Sequence, residues 1–236
     1  MNAVIGILGG MGPLATVDFV EKIIDQTPAE RDQDHLPLII HSVPQIPDRT
    51  ACLVSQHESP LPDMVRGINT LVGAGVSVIV IPCNTAHYWY DGLTQASAVP
   101  ILHIADACAQ KLVDEGIKTV GLMATDGTVK AGFYPKKLAR SGIQMVLPEE
   151  ALQRNIMHGI YQVKSGKIEA GGEILAGCME QMLRLGVEKV ILGCTEIPLA
   201  LERIESPLVD RGIDATQALA AACVRWHGAF RQRSVA

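Results

Sequence analysis

Hydrophobic positions in this chain fall into short dense runs, separated by longer stretches where apolar residues recur every three or four places. The runs at 3–8, 36–43, 76–81, 101–104, 119–124, 143–147, 189–193 and 207–210 predict β-strands. The periodic stretches between them predict helices over 14–26, 63–73, after His87, over 106–115, after the Asp126-Gly127-Thr128 turn, in two pieces across 149–185, after Glu196, and from Ala215 onward. The segment PQIPDRT after the second strand reads as a Pro-rich loop. Strands that are apolar along their whole length, alternating with helices, predict a parallel sheet covered on both faces. In such α/β folds ligands bind beyond the carboxyl ends of the strands.

The pattern repeats. Val4-Ile5-Gly6-Ile7-Leu8-Gly9 is echoed by Val120-Gly121-Leu122-Met123-Ala124. Each opens a strand–helix series that ends in a strand followed by cysteine, Val78-Ile79-Val80-Ile81-Pro82-Cys83-Asn84-Thr85 in the first and Lys189-Val190-Ile191-Leu192-Gly193-Cys194-Thr195-Glu196 in the second. The separations from Gly6 to Cys83 and from Gly121 to Cys194 are nearly equal. The expectation is an α/β fold of two pseudo-symmetric lobes, each a mainly parallel sheet flanked by helices, with the active site between them. Residues 1–98 plus 213–236 form the N-terminal lobe, the last helix crossing back, and 99–212 form the C-terminal lobe.

Composition narrows the function classes. Of 236 residues 48% are hydrophobic and 19% charged, with a net charge of −5, which is neither the low hydrophobicity nor the strong charge of a disordered chain. There is no basic excess, and only 4% of residues are aromatic, which argues against a nucleic-acid binder. Mean hydropathy is positive at +0.22, yet no apolar run approaches the ~20 residues that span a bilayer. The apolar start, broken by Gly and Pro and without Lys or Arg, reads as a buried strand and Gly loop rather than a signal peptide. The six cysteines show no CxxC and no zinc-ligand spacing with His, so free thiols in a reducing cytoplasm are expected, with no metal site.

Two of those cysteines stand apart. Cys83 and Cys194 each follow an apolar strand and precede a helix, a position that lowers a thiol pKa through the unpaired N–H groups and partial positive charge of the helix start. Two such thiols facing one another across a lobe interface form an acid/base pair, one taking a proton from one face of a carbon and the other returning it to the opposite face. Cys108, Cys178 and Cys223 lie in apolar helical stretches and read as core; Cys52 is undecided.

The motifs LGGMGP, HSVPQIPDRT, PCNTAH and GCTEIP together resemble the aspartate/glutamate racemase family, its aspartate racemase branch in particular, over Ile5 to about Asp214. The resemblance implies racemisation of an acidic amino acid, aspartate before glutamate, by Cys83 and Cys194 without pyridoxal phosphate, another cofactor or a metal. It also implies a homodimer. The partner is then a small dicarboxylic amino acid, with no nucleic acid and no membrane. Related activities on the same scaffold are maleate isomerisation, hydantoin racemisation and arylmalonate decarboxylation, and a non-catalytic amino-acid-binding protein is a further alternative.

Substrate contacts are expected from several places. The loop around Met11 and the turn at Asn84 and Thr85 offer backbone and side-chain donors to a carboxylate. Arg49 suits bidentate pairing with a second carboxylate, and the resemblance puts a substrate-binding arginine there. Lys164 resembles the family's cleft lysine, with Lys167 as the competing candidate. Thr128 is a further contact, although it and Thr125 also suit a helix cap. Thr195 is placed to meet the substrate carboxylate, and Glu196 favours the helix dipole whatever else it does. His87, like His41, reads as a packing or hydrogen-bonding residue and stays out of the site; His158 and His227 read as structural or exposed.

Overall fold

The computed structural model describes residues 3–235, with side chains through 232. Strand β1 (Ile5–Gly9) leads through a glycine loop into helix α1 (Pro13–Gln26), then β2 (Leu38–Ser42), α2 (Arg49–Ser55), α3 (Leu61–Gly73) and β3 (Val78–Val80). A short 3-10 turn over Thr85–Trp89 runs into α4 (Tyr90–Ala96), followed by α5 (Ile104–Asp114). The second series is β4 (Thr119–Ala124), α6 (Asp126–Ala131), α7 (Phe133–Arg140), β5 (Gln144–Val146), α8 (Glu150–Lys164), α9 (Ile168–Arg184), β6 (Lys189–Gly193), α10 (Glu196–Arg203), β7 (Gly212–Asp214) and α11 (Ala215–Val235).

Two parallel sheets result, ordered β2-β1-β3 and β5-β4-β6-β7. The repeat read from the sequence is visible in their pairing, since β1 lies between β2 and β3 as β4 lies between β5 and β6. Even the fourth places correspond. Beside β3 a single parallel bridge joins Ile79 to Ile101, where the second sheet carries β7 beside β6. The helix after each fourth place starts behind a side-chain cap: His103 accepts from the Ala105 amide, and Asp214 accepts from the Thr216 and Gln217 amides.

Two of the expected strands therefore change. The run at 101–104 contributes only its bridge, because Ile104 already begins α5. The run at 207–210 is no strand. Pro207 has no N–H for a ladder, and the chain next closes a 3-10 turn, moving the paired segment to Gly212–Asp214. The Pro-rich loop also ends in a helix the pattern did not announce, α2, whose first turn is capped by Asp48 accepting from the Ala51 amide at 2.7 Å.

Strand alternation sorts the core into three layers. Ile5, Ile7, Val78 and Val80 from the first sheet, with Val120, Leu122 and Ile191 from the second, share one central core with α1, α5 and α11. Leu8, Ile79 and Ile81 point the other way onto α3, while Met123, Val190 and Leu192 point onto α8, α9 and α10. Each fully buried Ile, Leu or Phe contributes roughly 1.5–3 kcal/mol over its exposed state. α11 packs on α1 and α5, and Lys22, held by Asp18 of its own helix at 2.7 Å, fastens α1 to the start of α11 by pairing with Asp214 at 2.6 Å and donating to the Thr216 hydroxyl at 3.2 Å.

The loop after β1 needs glycine. Gly10 has φ +92°, and a Cβ there would strike the Val43 backbone. A Cβ on Gly9 would strike the Thr16 side chain, whose hydroxyl accepts from the Gly10 amide at 2.8 Å. The requirement holds Met11 at the carboxyl end of β1.

Candidate active site

The carboxyl ends of β1, β3, β4 and β6 and the segment after β2 converge on one narrow cleft. Its walls bring together Met11, Arg49, Cys83, Asn84, Thr85, Lys164, Cys194 and Thr195, all expected from the sequence, along with Asp48, Thr50, Thr125 and Glu196. Cys83 is 7% and Cys194 6% exposed. Thr128, also expected, stands behind the wall. It is buried, 2.8 Å from the Thr85 hydroxyl and 3.1 Å from that of Thr125, and Thr125 caps α6 by accepting from the Thr128 amide. Lys164, in the last turn of α8, sends Nζ to Glu196 at 3.4 Å, while Lys167 directly precedes α9 and is not part of the wall.

The two halves close on each other at this cleft. α6 packs on α2 and on the 3-10 turn after Cys83. The approach is close enough that a Cβ on Gly127 would sit 2.8 Å from Thr85 Cγ2 and 3.0 Å from Thr50 Cα. Two buried donors on the wall have no partner, Arg49 Nε and Asn84 Nδ2. Arg49 Nη1 is already tied to the Ile46 and Pro47 carbonyls, each at 3.0 Å, so the guanidinium is fixed while its Nε stays open. Buried donors left open in this way are completed by an acceptor such as a carboxylate.

A family model described as Asp/Glu/hydantoin racemase matches residues 8–223. The chain belongs to the Asp/Glu/hydantoin racemase family. An aspartate racemase of Picrophilus torridus superposes with a TM-score of 0.85 at 35% identity, over 96% of this chain and 95% of that one. The broad specificity amino-acid racemase RacX of Bacillus subtilis is 29% identical over 214 residues, 87% of this chain and 92% of that protein. A glutamate racemase of Francisella tularensis solved with D-glutamate shares the fold, with a TM-score of 0.68 at 20% identity over 98% of this chain and 82% of that one. Family and relatives together support amino-acid racemisation. Among the described residues no helix is long and apolar enough to cross a membrane.

In this member of the family the second cysteine departs from the simple helix-start picture. Burial pushes the Cys194 thiol well above its ordinary value, and the Glu196 carboxylate adds to this; Lys164 offsets only part of it. Cys194 Sγ donates to Glu196 Oε2 at 2.9 Å, and Thr195 Oγ1 donates to the same oxygen at 2.9 Å. Burial alone would push the Glu196 carboxyl up, but Lys164 and these two hydrogen bonds hold it below the usual range. Burial likewise opposes the Lys164 charge, and the charge that Cys194 carries once ionised, together with the Glu196 carboxylate, outweighs that and raises the Lys164 pKa. Cys194 thus rests as a thiol.

Glu196→Gln removes the carboxylate and should lower the Cys194 pKa. In a Cys83→Ser background, the pH of half-maximal alkylation of Cys194, followed by mass spectrometry, should fall accordingly; an unchanged midpoint would contradict the carboxylate's role.

His87 lies outside the wall, as read from the sequence, and it supports the first cysteine from behind. Its Nδ1 donates to the Cys83 carbonyl at 2.9 Å, and its Nε2 accepts from the Ile104 amide at 3.2 Å. Burial lowers its pKa to about 4. The unfolded chain binds a proton near pH 6.5 that the folded chain refuses down to about pH 4, so this contribution to stability is full above pH 6.5 and lost as pH falls through that window. The loss amounts to about 3 kcal/mol. Urea midpoints should be level above pH 6.5 and decline toward pH 4, with a shallower decline in His87→Gln.

Three of the remaining cysteines behave as core. Burial pushes Cys108 and Cys223 up to about 12 and Cys178 up to about 11. Cys52 is half-buried in α2. Asp48, Thr50, Thr125, Gly193 and Glu196 are wall residues that sequence reasoning did not assign to the site. In sequence Asp48 reads only as part of the Pro-rich loop, and Glu196 only as a first-turn acid, so each has a local explanation that hides the second role.

Proposed function

We propose that this chain interconverts the enantiomers of an acidic amino acid, aspartate first and glutamate second, using Cys83 and Cys194 as the two proton-transfer groups and no pyridoxal phosphate or metal. The observation that carries the reading is the pairing itself. Two thiols at equivalent places in the repeated sheets line one cleft, beside two buried donors that lack partners. A thiolate at Cys83 removes the α-proton, and the electron pair left on the α-carbon is delocalised into the substrate carboxylate. The neighbouring helix-start amides stabilise that charge, and Asn84 Nδ2 holds the carboxylate in place. Cys194, resting as a thiol, delivers its proton to the opposite face. One proton leaves and one arrives, so atoms and electrons balance without a redox partner. Arg49 then holds the side-chain carboxylate.

The likeness to RacX supports a wider amino-acid range as the second reading. The test is incubation with L-aspartate, L-glutamate and a panel of neutral amino acids in deuterated water. Loss of the α-proton signal is followed by NMR, and the opposite enantiomer by chiral chromatography. Exchange with aspartate or glutamate but not with neutral amino acids is expected. Exchange across the panel favours the wider range, and none with any amino acid overturns racemisation. In that case a covalent Cys83 adduct with maleate, seen by mass spectrometry, would indicate isomerase chemistry. The resemblance also supports a cytoplasmic homodimer, whose subunit number light scattering would measure.

A further inference from the structure

We propose that Tyr134 is a positioning residue for substrate binding, its hydroxyl fixing which end of the Asn84 side-chain amide faces the cleft. The proposal rests on the acidic amino-acid reading above. Tyr134 lies in α7 and is 1% exposed. Its hydroxyl donates to Asn84 Oδ1 at 2.6 Å. Cys108 Sγ lies 3.5 Å from the same phenol oxygen. Because the phenol proton is held by Asn84, the Cys108 S–H is the donor in that second contact. Burial keeps the phenol pKa well above its ordinary 10, so the hydroxyl stays a donor.

A side-chain amide has an acceptor end and a donor end. With Oδ1 tied back to Tyr134, Nδ2 is the end left for the cleft, and it is buried and without a partner. A buried amide donor left open is costly until a ligand completes it, and the group that completes it must be an acceptor. The reversed amide would turn an oxygen toward a substrate carboxylate and oppose binding. Tyr134 belongs to the second series of elements and Asn84 to the first, so the bond also ties the first cysteine's turn to the second series.

A double-mutant cycle tests this. Tyr134→Phe should raise the KM for aspartate roughly ten-fold while kcat changes less than about three-fold. In an Asn84→Ala background the same change should add nothing, whereas a merely structural loss would still show. An equal KM rise in both backgrounds overturns the proposal. A second measurement does not depend on turnover. In 15N-labelled protein the Asn84 side-chain NH2 pair, assigned by its absence from Asn84→Ala, should be displaced by Tyr134→Phe and left in place by Cys178→Ala. An undisplaced pair in Tyr134→Phe overturns the proposal. If the wild-type chain racemises no acidic amino acid but the pair moves as expected, only the functional reading falls.

Discussion

Cys83→Ser and Cys194→Ser are each expected to lower racemisation roughly 10³-fold, the scale of a lost general acid or base. Serine preserves the shape of the side chain, but its hydroxyl is far too weak an acid to share a proton with an α-carbon. The two variants should also differ. With Cys83 replaced, the enantiomer whose proton faces Cys194 should still exchange its α-hydrogen with deuterated solvent. With Cys194 replaced, the opposite enantiomer should do so. Measuring washout separately from L- and D-aspartate distinguishes this from global damage, which would depress both. Near-normal two-way turnover in either variant would sink the two-base scheme. The resting thiol at Cys194, held by burial and Glu196, adds a detail. In resting wild-type enzyme, washout should begin faster from the enantiomer that presents its proton to Cys83.

Arg49→Ala carries the second large effect. Charge-assisted hydrogen bonds contribute about 1.5–3 kcal/mol each, so loss of the guanidinium should raise the KM for aspartate by roughly 10²-fold. The KM for a neutral amino acid should hardly move, because that substrate has no second carboxylate. The contrast between the two substrates is the informative measurement. Arg49 also ties down the Ile46 and Pro47 carbonyls, so its loss loosens the segment leading into α2. That loosening would weaken binding of every substrate alike. Arg49→Lys, which keeps the charge but not the planar fork, should recover part of the aspartate preference. A KM that rises equally for aspartate and alanine would assign Arg49 to loop structure rather than to recognition.

Much of the fold was legible in the sequence because its signals are local. Apolar runs marked β1, β4 and β6 closely, and the duplicated strand–Cys elements marked both the repeat and the two thiols. Marks failed where a local rule and a tertiary contact compete. The run at 207–210 is apolar enough for a strand, but Pro207 and the turn behind it hand the pairing to Gly212–Asp214. The bridge at Ile101 ends at once because His103 caps α5. α2 is only seven residues long and sits in a segment whose prolines speak for a loop.

The sequence by itself determined the α/β class, the twofold repetition, and the pair Cys83 and Cys194 with Asn84 and Thr195 near them, since these follow from hydrophobic period and from residue types at strand ends; Arg49 entered through the resemblance of its motif to the family. Which candidates meet was decided only by tertiary structure. Lys164 rather than Lys167 reaches the cleft because of where the last turn of α8 ends. Thr128 falls behind Thr85 because α6 approaches the first half through Gly127. Cys194 rests protonated although it precedes a helix, because desolvation and a neighbouring carboxylate outweigh the pull of the helix start. The orientation of Asn84 is set by a tyrosine fifty residues away in sequence. Burial and the direction of a hydrogen bond belong to three-dimensional neighbours, and no periodicity along the chain encodes them.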